Sequence, residues 1–185
     1  MPEKFNLQNT VYLPGKSVFL SAMAPECIDI KQYFREDEQT FIMWFYPGKK
    51  AMGPPGYCHG GLTSAILDET MGSCCWLNGY LVVTARMEVR YKAKIPVHDE
   101  YIATSKIKSI KGRRIIVEAE ITDCNGKVYA LSEGTFLSVS PEKLGSPPEY
   151  AKQVEKAARF FRLRQRGLSI KEIFKQLGRD LEPPT

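Results

Sequence analysis

The chain has 185 residues, of which 43% are hydrophobic and 25% are charged, as is ordinary for a soluble globular protein. This length suits one domain with a sizeable core plus an appendage. No apolar run approaches the ~20 residues that cross a bilayer, and the first residues lack the apolar core of a signal peptide. The formal charge of +5 suits an anionic ligand and does not by itself indicate a nucleic-acid partner.

The cysteines are odd in number and have no metal-type spacing. They are Cys27, Cys58, Cys74, Cys75 and Cys124. This usage predicts reduced thiols in a cytoplasmic protein without a metal site.

The first part of the chain predicts an arm and two strands. Residues 1–27 are mixed and predict an N-terminal arm with at most a short strand or helical turn. Ile28–Arg35 alternates loosely, and residues 40–46 are rich in aromatic and β-branched side chains, so both segments predict strands. A polar connection between them predicts a hairpin.

A long helix follows a loop that contains Gly53-Pro-Pro-Gly56. Between Gly60 and Leu77 there is no proline, and apolar residues recur at helical spacing around most of the helix. The pattern therefore predicts a buried helix.

Four further strands are predicted over residues 82–94, 100–110, 113–122 and 128–139. Asn125-Gly126 favours a tight hairpin turn between the last two. Two strands, a long helix and four strands predict an α+β domain over residues 28–141, in which an antiparallel sheet wraps around the helix.

Residues 142–185 predict a C-terminal helical extension. One helix covers residues 149–166, and Ser169 begins a second that ends near Gly178. Residues 165–178 resemble the start of a helix-turn-helix, but the seven residues that follow are too few for a recognition helix. The extension is therefore expected to be an accessory helical hairpin.

One face of the long helix carries small residues and a single carboxylate. Gly61, Ala65 (or Ser64), Asp68 and Gly72 lie three or four positions apart. The helix begins with N–H groups at the positive end of its dipole, which suits an anion or an oxygen that becomes negative in a transition state. A carboxylate and N–H donors on one helix are groups that an acyl-transfer site uses. The alternative is a glycine-rich cap, with Asp68 in a structural hydrogen bond.

The motif His59-Gly60-Gly61, with Asp68 nine positions after the histidine, resembles the central helix of hotdog-fold acyl-CoA thioesterases. The preceding Gly-Pro-Pro-Gly and Thr84 on the next strand are similar to the PaaI-like branch that includes the human superfamily members 4 and 5. The resemblance covers residues 27–140. Some relatives have an asparagine where this chain has Gly53, so that residue's role is not carried over.

The resemblance implies a role for each residue of the motif. Asp68 would attack the thioester carbonyl or act as general base on a water, and Thr84 would bind that water or orient Asp68. Gly61, with Gly60, would supply the N–H that binds the thioester oxygen. His59 would orient this turn or contact the carbonyl region.

Two groups of basic residues are candidates for binding the phosphates of coenzyme A. One flanks a turn and contains Lys111, Arg113 and Arg114. The other follows a strand and contains Arg90, Lys92 and Lys94. The alternative for either group is a solvated surface.

The resemblance thus implies an acyl-CoA thioesterase that needs no cofactor besides the coenzyme A of its substrate, and no nucleic-acid or membrane partner. It also implies a homodimer, or a dimer of dimers, with a shared site. The alternative functions are a non-enzymatic acyl-CoA sensor and, more weakly, a dehydratase of the same fold. The acyl group would depend on which of five apolar residues face the tunnel: Trp44, Tyr57, Leu62, Trp76 and Met87.

Overall fold

The structure is a computed structural model that describes residues 4–13, 20, 23, 26–140, 143 and 147–178. The main strands and helices follow one another in the order that the sequence predicts. In chain order they are β1 (Thr10–Tyr12), β2 (Ile28–Arg35), β3 (Thr40–Pro47), α1 (Gly60–Leu77), β4 (Val82–Tyr91), β5 (Tyr101–Lys111), β6 (Arg114–Thr122), β7 (Val128–Ser138), α2 (Ala151–Gln165) and α3 (Ile170–Gln176), with short 3₁₀ turns at Lys49–Ala51 and Pro148–Tyr150.

The strands form one antiparallel sheet in the order β1-β2-β3-β5-β6-β7-β4. Helix α1 packs against one face and contacts strands β3 to β7. Its apolar residues and the inward side chains of the strands form the main core. The predicted sheet wrapped around a long helix is confirmed, and the N-terminal arm adds the edge strand β1.

Strand β3 is buried on both of its faces. Phe41, Met43 and Phe45 join the core under α1. Ile42 and Trp44 lie on the opposite face, in a second cluster with Phe5 and Tyr33. Trp44 therefore points away from α1, because neighbouring residues of a strand face opposite sides of the sheet.

Strand β4 is the other edge of the sheet. Among the described residues it pairs only with β7, and most of its side chains are exposed. An edge strand offers unpaired N–H and C=O groups to a further strand.

The C-terminal extension is a pair of helices, as predicted. Ser169 caps α3 in a capping box with Glu172. Phe160 and Phe161 of α2 pack against Trp76 near the end of α1. Within the described part of the chain, no helix is long and apolar enough to span a membrane.

Candidate active site

The loop before α1 is held against the segment that follows β4. Gly56 has φ +80° in a turn closed by the Tyr57 N–H and the Pro54 carbonyl, which suits a type II turn. The Cys58 N–H donates to the Ile95 carbonyl at 2.8 Å. These contacts fix the position at which the helix begins.

His59 is the N-cap of α1. Its Nδ1 accepts a hydrogen bond from the Gly61 N–H at 3.0 Å, so the neutral ring carries its proton on Nε2. The His59 carbonyl accepts from the N–H groups of Leu62 and Thr63 at 3.0 and 3.1 Å. The expectation that His59 orients this turn agrees with both contacts.

The Gly61 N–H, to which the resemblance assigns the thioester oxygen, is already bonded to His59 Nδ1, whereas nothing in the described residues accepts a hydrogen bond from the Gly60 N–H. Since the His59–Gly60 peptide is trans, this N–H points opposite to the His59 carbonyl, and the carbonyl is held towards the helix. The Gly60 N–H therefore points out of the helix end, where the dipole favours negative charge.

Asp68 lies two turns further along the helix and is half-buried. The Thr84 hydroxyl donates to its Oδ1 at 2.9 Å. Asp68 is on the side of α1 that the sheet leaves open, together with Gly61, Ala65 and Gly72. Strand β4 thus contacts the carboxylate from the edge of the sheet, which is the geometry that the second of the two roles implied for Thr84 requires.

A second hydroxyl from β4 reaches the same side of α1. The Tyr91 hydroxyl donates to the Gly60 carbonyl at 3.0 Å and lies 2.5 Å from Ser64 Oγ. Tyr91 is seven positions after Thr84, an odd number, so a regular strand would place the two side chains on opposite faces. An irregularity in the β4–β7 register between Thr84 and Arg86 restores a shared face. Sequence reasoning missed Tyr91, because nothing local to the strand signals this irregularity.

Gly53 packs closely against the capping histidine. A Cβ at this position would lie 2.9 Å from His59 Cδ2 and 3.2 Å from His59 Cα. Any larger residue would force the ring to move. The absence of a side chain at Gly53 therefore allows the His59 ring to occupy its position at the start of α1.

Cys58 is a rival nucleophile because it precedes His59 in the chain. Its thiol is buried, and this burial raises its pKa to about 11. The thiol is therefore protonated at neutral pH and is a poor nucleophile. Asp68 remains the candidate for the chemical step. Within the described ranges, no three His, Cys, Asp or Glu side chains come together as a metal site would require.

The two basic groups lie at opposite ends of α1. Lys92 follows Tyr91 directly and is near the Gly60 end, whereas Arg113 donates to the Ser138 carbonyl near the other end. An 18-residue helix is about 27 Å long, so the groups are well separated within one chain. Arg90 bonds to Glu88 on the sheet face that points away from α1.

The structure also sorts the apolar residues proposed for the tunnel. Trp44 is on the far face of the sheet, and Trp76 is covered by two phenylalanines. Leu62 is buried in the core, and Met87 packs against that core from β4. Tyr57 lies beneath the Lys94 ammonium, 5.1 Å from it.

The site is an open surface in a single chain. Two clefts have volumes of about 490 and 610 Å³. The first lies across β4 to β7, and the second lies between the end of α1 and α2. Asp68, Thr84 and Gly60 line neither of them, although ligand sites are usually concave.

The part of the chain that carries these residues is similar to a known protein family. A family model described as "Thioesterase superfamily" matches residues 55–130, which include the His59-Gly60-Gly61 turn, Asp68, Thr84 and Tyr91. Residues 55–130 are therefore similar to the thioesterase superfamily.

Curated relatives that match this part of the chain have names of the same kind. Acyl-coenzyme A thioesterase THEM4 of Rattus norvegicus is 29% identical over 112 residues, which are 60% of this chain and 48% of the relative. THEM4 of Xenopus laevis is 34% identical over 111 residues, 59% of this chain and 50% of the relative. The chain thus spans about half the length of these relatives.

Solved structures share the hotdog fold. A protein described as a thioesterase superfamily protein has 27% identity and a TM-score of 0.59, covering 63% of this chain and 56% of its own. The E. coli PaaI protein has 20% identity and a TM-score of 0.54, covering 60% and 79%. A Streptococcus mutans protein bound to acetyl CoA has 17% identity and a TM-score of 0.57, covering 69% and 95%. The last two likenesses show the fold alone.

Proposed function

We propose that this chain is an acyl-CoA thioesterase that hydrolyses a thioester to coenzyme A and a carboxylic acid. The observation that carries the proposal is the Asp68 carboxylate, which is held by the Thr84 hydroxyl at 2.9 Å on the uncovered side of α1. The superfamily match of this segment and the names of its relatives support the same reaction.

The proposed chemistry adds one water across the C–S bond. The Asp68 carboxylate either attacks the thioester carbon or removes a proton from the attacking water. The carbonyl oxygen then becomes negative, and the N–H at the Gly60 end of α1 stabilises it. Collapse of the tetrahedral intermediate expels the coenzyme A thiolate, which takes up a proton. In the general-base route Asp68 gives the thiolate the proton that it took from water and is free again. In the nucleophilic route loss of the thiolate leaves a mixed anhydride on Asp68, and the water then hydrolyses this anhydride to release the carboxylic acid and Asp68.

The proposed site needs two copies of the chain. Asp68 and Gly60 are eight positions apart on one helix, which is about 12 Å along its axis. A nucleophile and an oxyanion donor must both lie about 3 Å from one carbonyl group. Asp68 of one copy would therefore act with the Gly60 N–H of another. The open side of α1 and the edge of β4 that no described strand covers are surfaces available for such an assembly.

The proposed substrate carries anionic phosphates, which suits the net charge of +5. Lys92 with Lys94, or Lys111 with Arg113 and Arg114, would bind them. Replacing each group by glutamine in turn would separate the two sites. Replacing the group that binds phosphate should raise KM and leave kcat nearly unchanged, because that group contacts the substrate and the transition state alike.

The first experiment is a hydrolysis screen over short, long, branched and aromatic acyl-CoA esters. A thiol reagent measures the free coenzyme A that each reaction releases. Cys124 is exposed and would react with a thiol reagent, so a Cys124→Ser variant removes the background. Turnover of any ester supports the proposal. Tight binding of acyl-CoA without turnover would instead favour a non-enzymatic sensor.

Gly60→Pro tests the oxyanion donor. Gly60 is the first residue of α1, a position that tolerates proline, and the His59 ψ of 134° suits a residue before proline. Proline replaces the amide hydrogen with its ring Cδ, so no donor remains and kcat should fall by about 100-fold while the helix remains. Gly60→Ala is the matched control, because it keeps the N–H and its Cβ would lie 3.7 Å from the Tyr91 ring. Equal activity of both variants would overturn this role.

Mixing chains tests the shared site. Asp68→Asn and Gly60→Pro chains should each be inactive alone. Co-refolded heterodimers would hold both lesions in one site and neither in the other, so activity should return to at most about half per heterodimer. If each site were built within one chain, mixing would restore no activity.

A further inference from the structure

The peptide unit between Gly60 and Gly61 is held from both sides. On one side the Gly61 N–H donates to His59 Nδ1 at 3.0 Å. On the other side the Gly60 carbonyl accepts from the Tyr91 hydroxyl at 3.0 Å. Ser64 Oγ lies 2.5 Å from the Tyr91 hydroxyl and 3.2 Å from the Gly60 carbonyl, so it completes a small hydroxyl cluster.

This peptide unit is adjacent to the proposed oxyanion donor. The Gly60 N–H belongs to the preceding peptide, and the two peptides meet at the Gly60 Cα. Glycine has no Cβ and rotates more freely about its φ and ψ than other residues. The direction of the Gly60 N–H therefore depends on whatever fixes the peptides on either side of it.

The His59–Gly60 peptide is fixed by the two N–H groups that donate to the His59 carbonyl. The Gly60–Gly61 peptide is fixed by His59 Nδ1 and by Tyr91. Tyr91 is the contribution from outside the helix, since it lies 31 positions away on β4. Strand β4 thus fixes both parts of the proposed chemistry, with Thr84 at the carboxylate and Tyr91 at the helix start.

We infer that the Tyr91 hydroxyl is a positioning residue for the Gly60 N–H, an inference that rests on the proposed function. Tyr91 does not touch the reacting atoms. It holds the peptide beyond Gly60 so that the N–H is already aimed when the thioester oxygen becomes negative. Such preorganisation stabilises the transition state more than the bound substrate.

A purely structural role fits the exposure of Tyr91 poorly. Tyr91 is 55% exposed in the single chain, whereas Tyr101 of the core is fully buried. A hydrogen bond in such an exposed place contributes little to the free energy of unfolding, because water competes for both groups. The energetic effect of the hydroxyl is therefore expected in kcat.

The variant that isolates the hydroxyl is Tyr91→Phe, which keeps the ring beside Gly60. It should lower kcat by about 10-fold, as loss of one hydrogen bond allows, with KM and the melting temperature nearly unchanged. Ser64→Ala should have the same sign and a smaller effect, since the Tyr91 bond to the Gly60 carbonyl survives. Full wild-type kcat in Tyr91→Phe would overturn the inference.

A double-mutant cycle shows whether Tyr91 acts through the Gly60 N–H. In a Gly60→Pro background that N–H is absent, so adding Tyr91→Phe should change kcat by less than about 2-fold. In a Gly60→Ala background the N–H is present, and the full 10-fold loss should return. Equal losses in both backgrounds would mean that Tyr91 acts elsewhere, and would overturn the inference.

A measurement without substrate keeps this inference separate from the proposed function. Amide hydrogen exchange of Gly61, measured by NMR, should become several-fold faster in Tyr91→Phe, because the Gly60 carbonyl of the same peptide loses its Tyr91 hydrogen bond and keeps only the longer one from Ser64. Unchanged exchange would show that Tyr91 does not hold the Gly60–Gly61 peptide, and would overturn the inference even if the wild type hydrolyses acyl-CoA. Faster exchange in a protein that hydrolyses no thioester would show that Tyr91 holds this peptide, and would refute the proposed function alone.

Discussion

The two ends of α1 differ in how their backbone hydrogen-bonding groups are capped. At the C-terminal end, Gly79 has φ +91° and its N–H donates to the Trp76 carbonyl, while the Tyr80 N–H donates to the Cys75 carbonyl. This is a Schellman motif. The Leu77 carbonyl accepts from Arg164 Nε at 2.8 Å. At the N-terminal end, the Gly60 N–H has no partner within the described residues.

The two ends of α1 also differ in packing, and the end with the satisfied carbonyls is the buried one. The C-terminal end is covered by Phe160 and Phe161, both buried against Trp76. The N-terminal end presents His59, Gly60 and an exposed tyrosine. Burial and satisfied carbonyls stabilise one end of the helix. The other end keeps a donor available at the positive end of the dipole, which is the end suited to developing negative charge.

Among the substitutions that test this difference between the two ends of α1, Phe161→Ala is expected to have the largest effect. It removes most of a buried ring from the covered end, and such truncations cost about 3–5 kcal/mol of the free energy of unfolding. Denaturant unfolding would measure the loss, and kcat per folded molecule should stay near the wild-type value. Phe161→Leu is the matched control with a smaller loss. A large fall in kcat would mean that the two ends are coupled.

Asp68→Asn acts on the open side instead. It preserves shape and removes the charge and basicity that either mechanism requires, so kcat should fall at least ~100-fold, about 2.7 kcal/mol in the activation free energy. Unfolding and acyl-CoA binding should change little. A properly folded variant that hydrolyses acyl-CoA at the wild-type rate would refute the role of Asp68.

Arg164→Met tests the link between the extension and the domain. Arg164 donates to the Leu77 and Leu168 carbonyls and to Glu36 Oε1. Methionine keeps most of the apolar stem and removes the donor from the two carbonyls, whereas Glu36 Oε1 still accepts from the Ile170 N–H. The free energy of unfolding should therefore fall by about 2 kcal/mol. Glu36→Gln provides the comparison, since it weakens only the ion pair. An unchanged midpoint of unfolding in Arg164→Met would contradict this role.

Thr84→Val should have the smallest effect. Valine keeps the β-branched shape and removes the hydroxyl that orients Asp68, so kcat should fall less than ~10-fold with little change in KM. Steady-state kinetics and thermal unfolding, measured side by side, check both parts. A collapse of thermal stability would show that the hydroxyl is structural.

Much of the fold follows from local sequence. The helix start at His59-Gly60-Gly61, the hairpin turn at Asn125-Gly126 and the Ser169 cap each depend on residues a few positions apart. The alternating strands and the helical periodicity between Gly60 and Leu77 are local patterns as well. The sequence alone therefore determined the order of the elements and placed Asp68 on the small-residue side of its helix.

Only the tertiary structure decided which side chains from other elements reach that helix. Thr84 was expected near Asp68 from resemblance, whereas Tyr91 was not expected near Gly60, because an irregular register in β4 changes which residues face inward. Likewise, Arg164 reaches the Leu77 carbonyl across 87 positions, and the two basic groups separate to opposite ends of α1. Such contacts depend on strand register and packing across the whole sheet, and a window of neighbouring residues does not contain them.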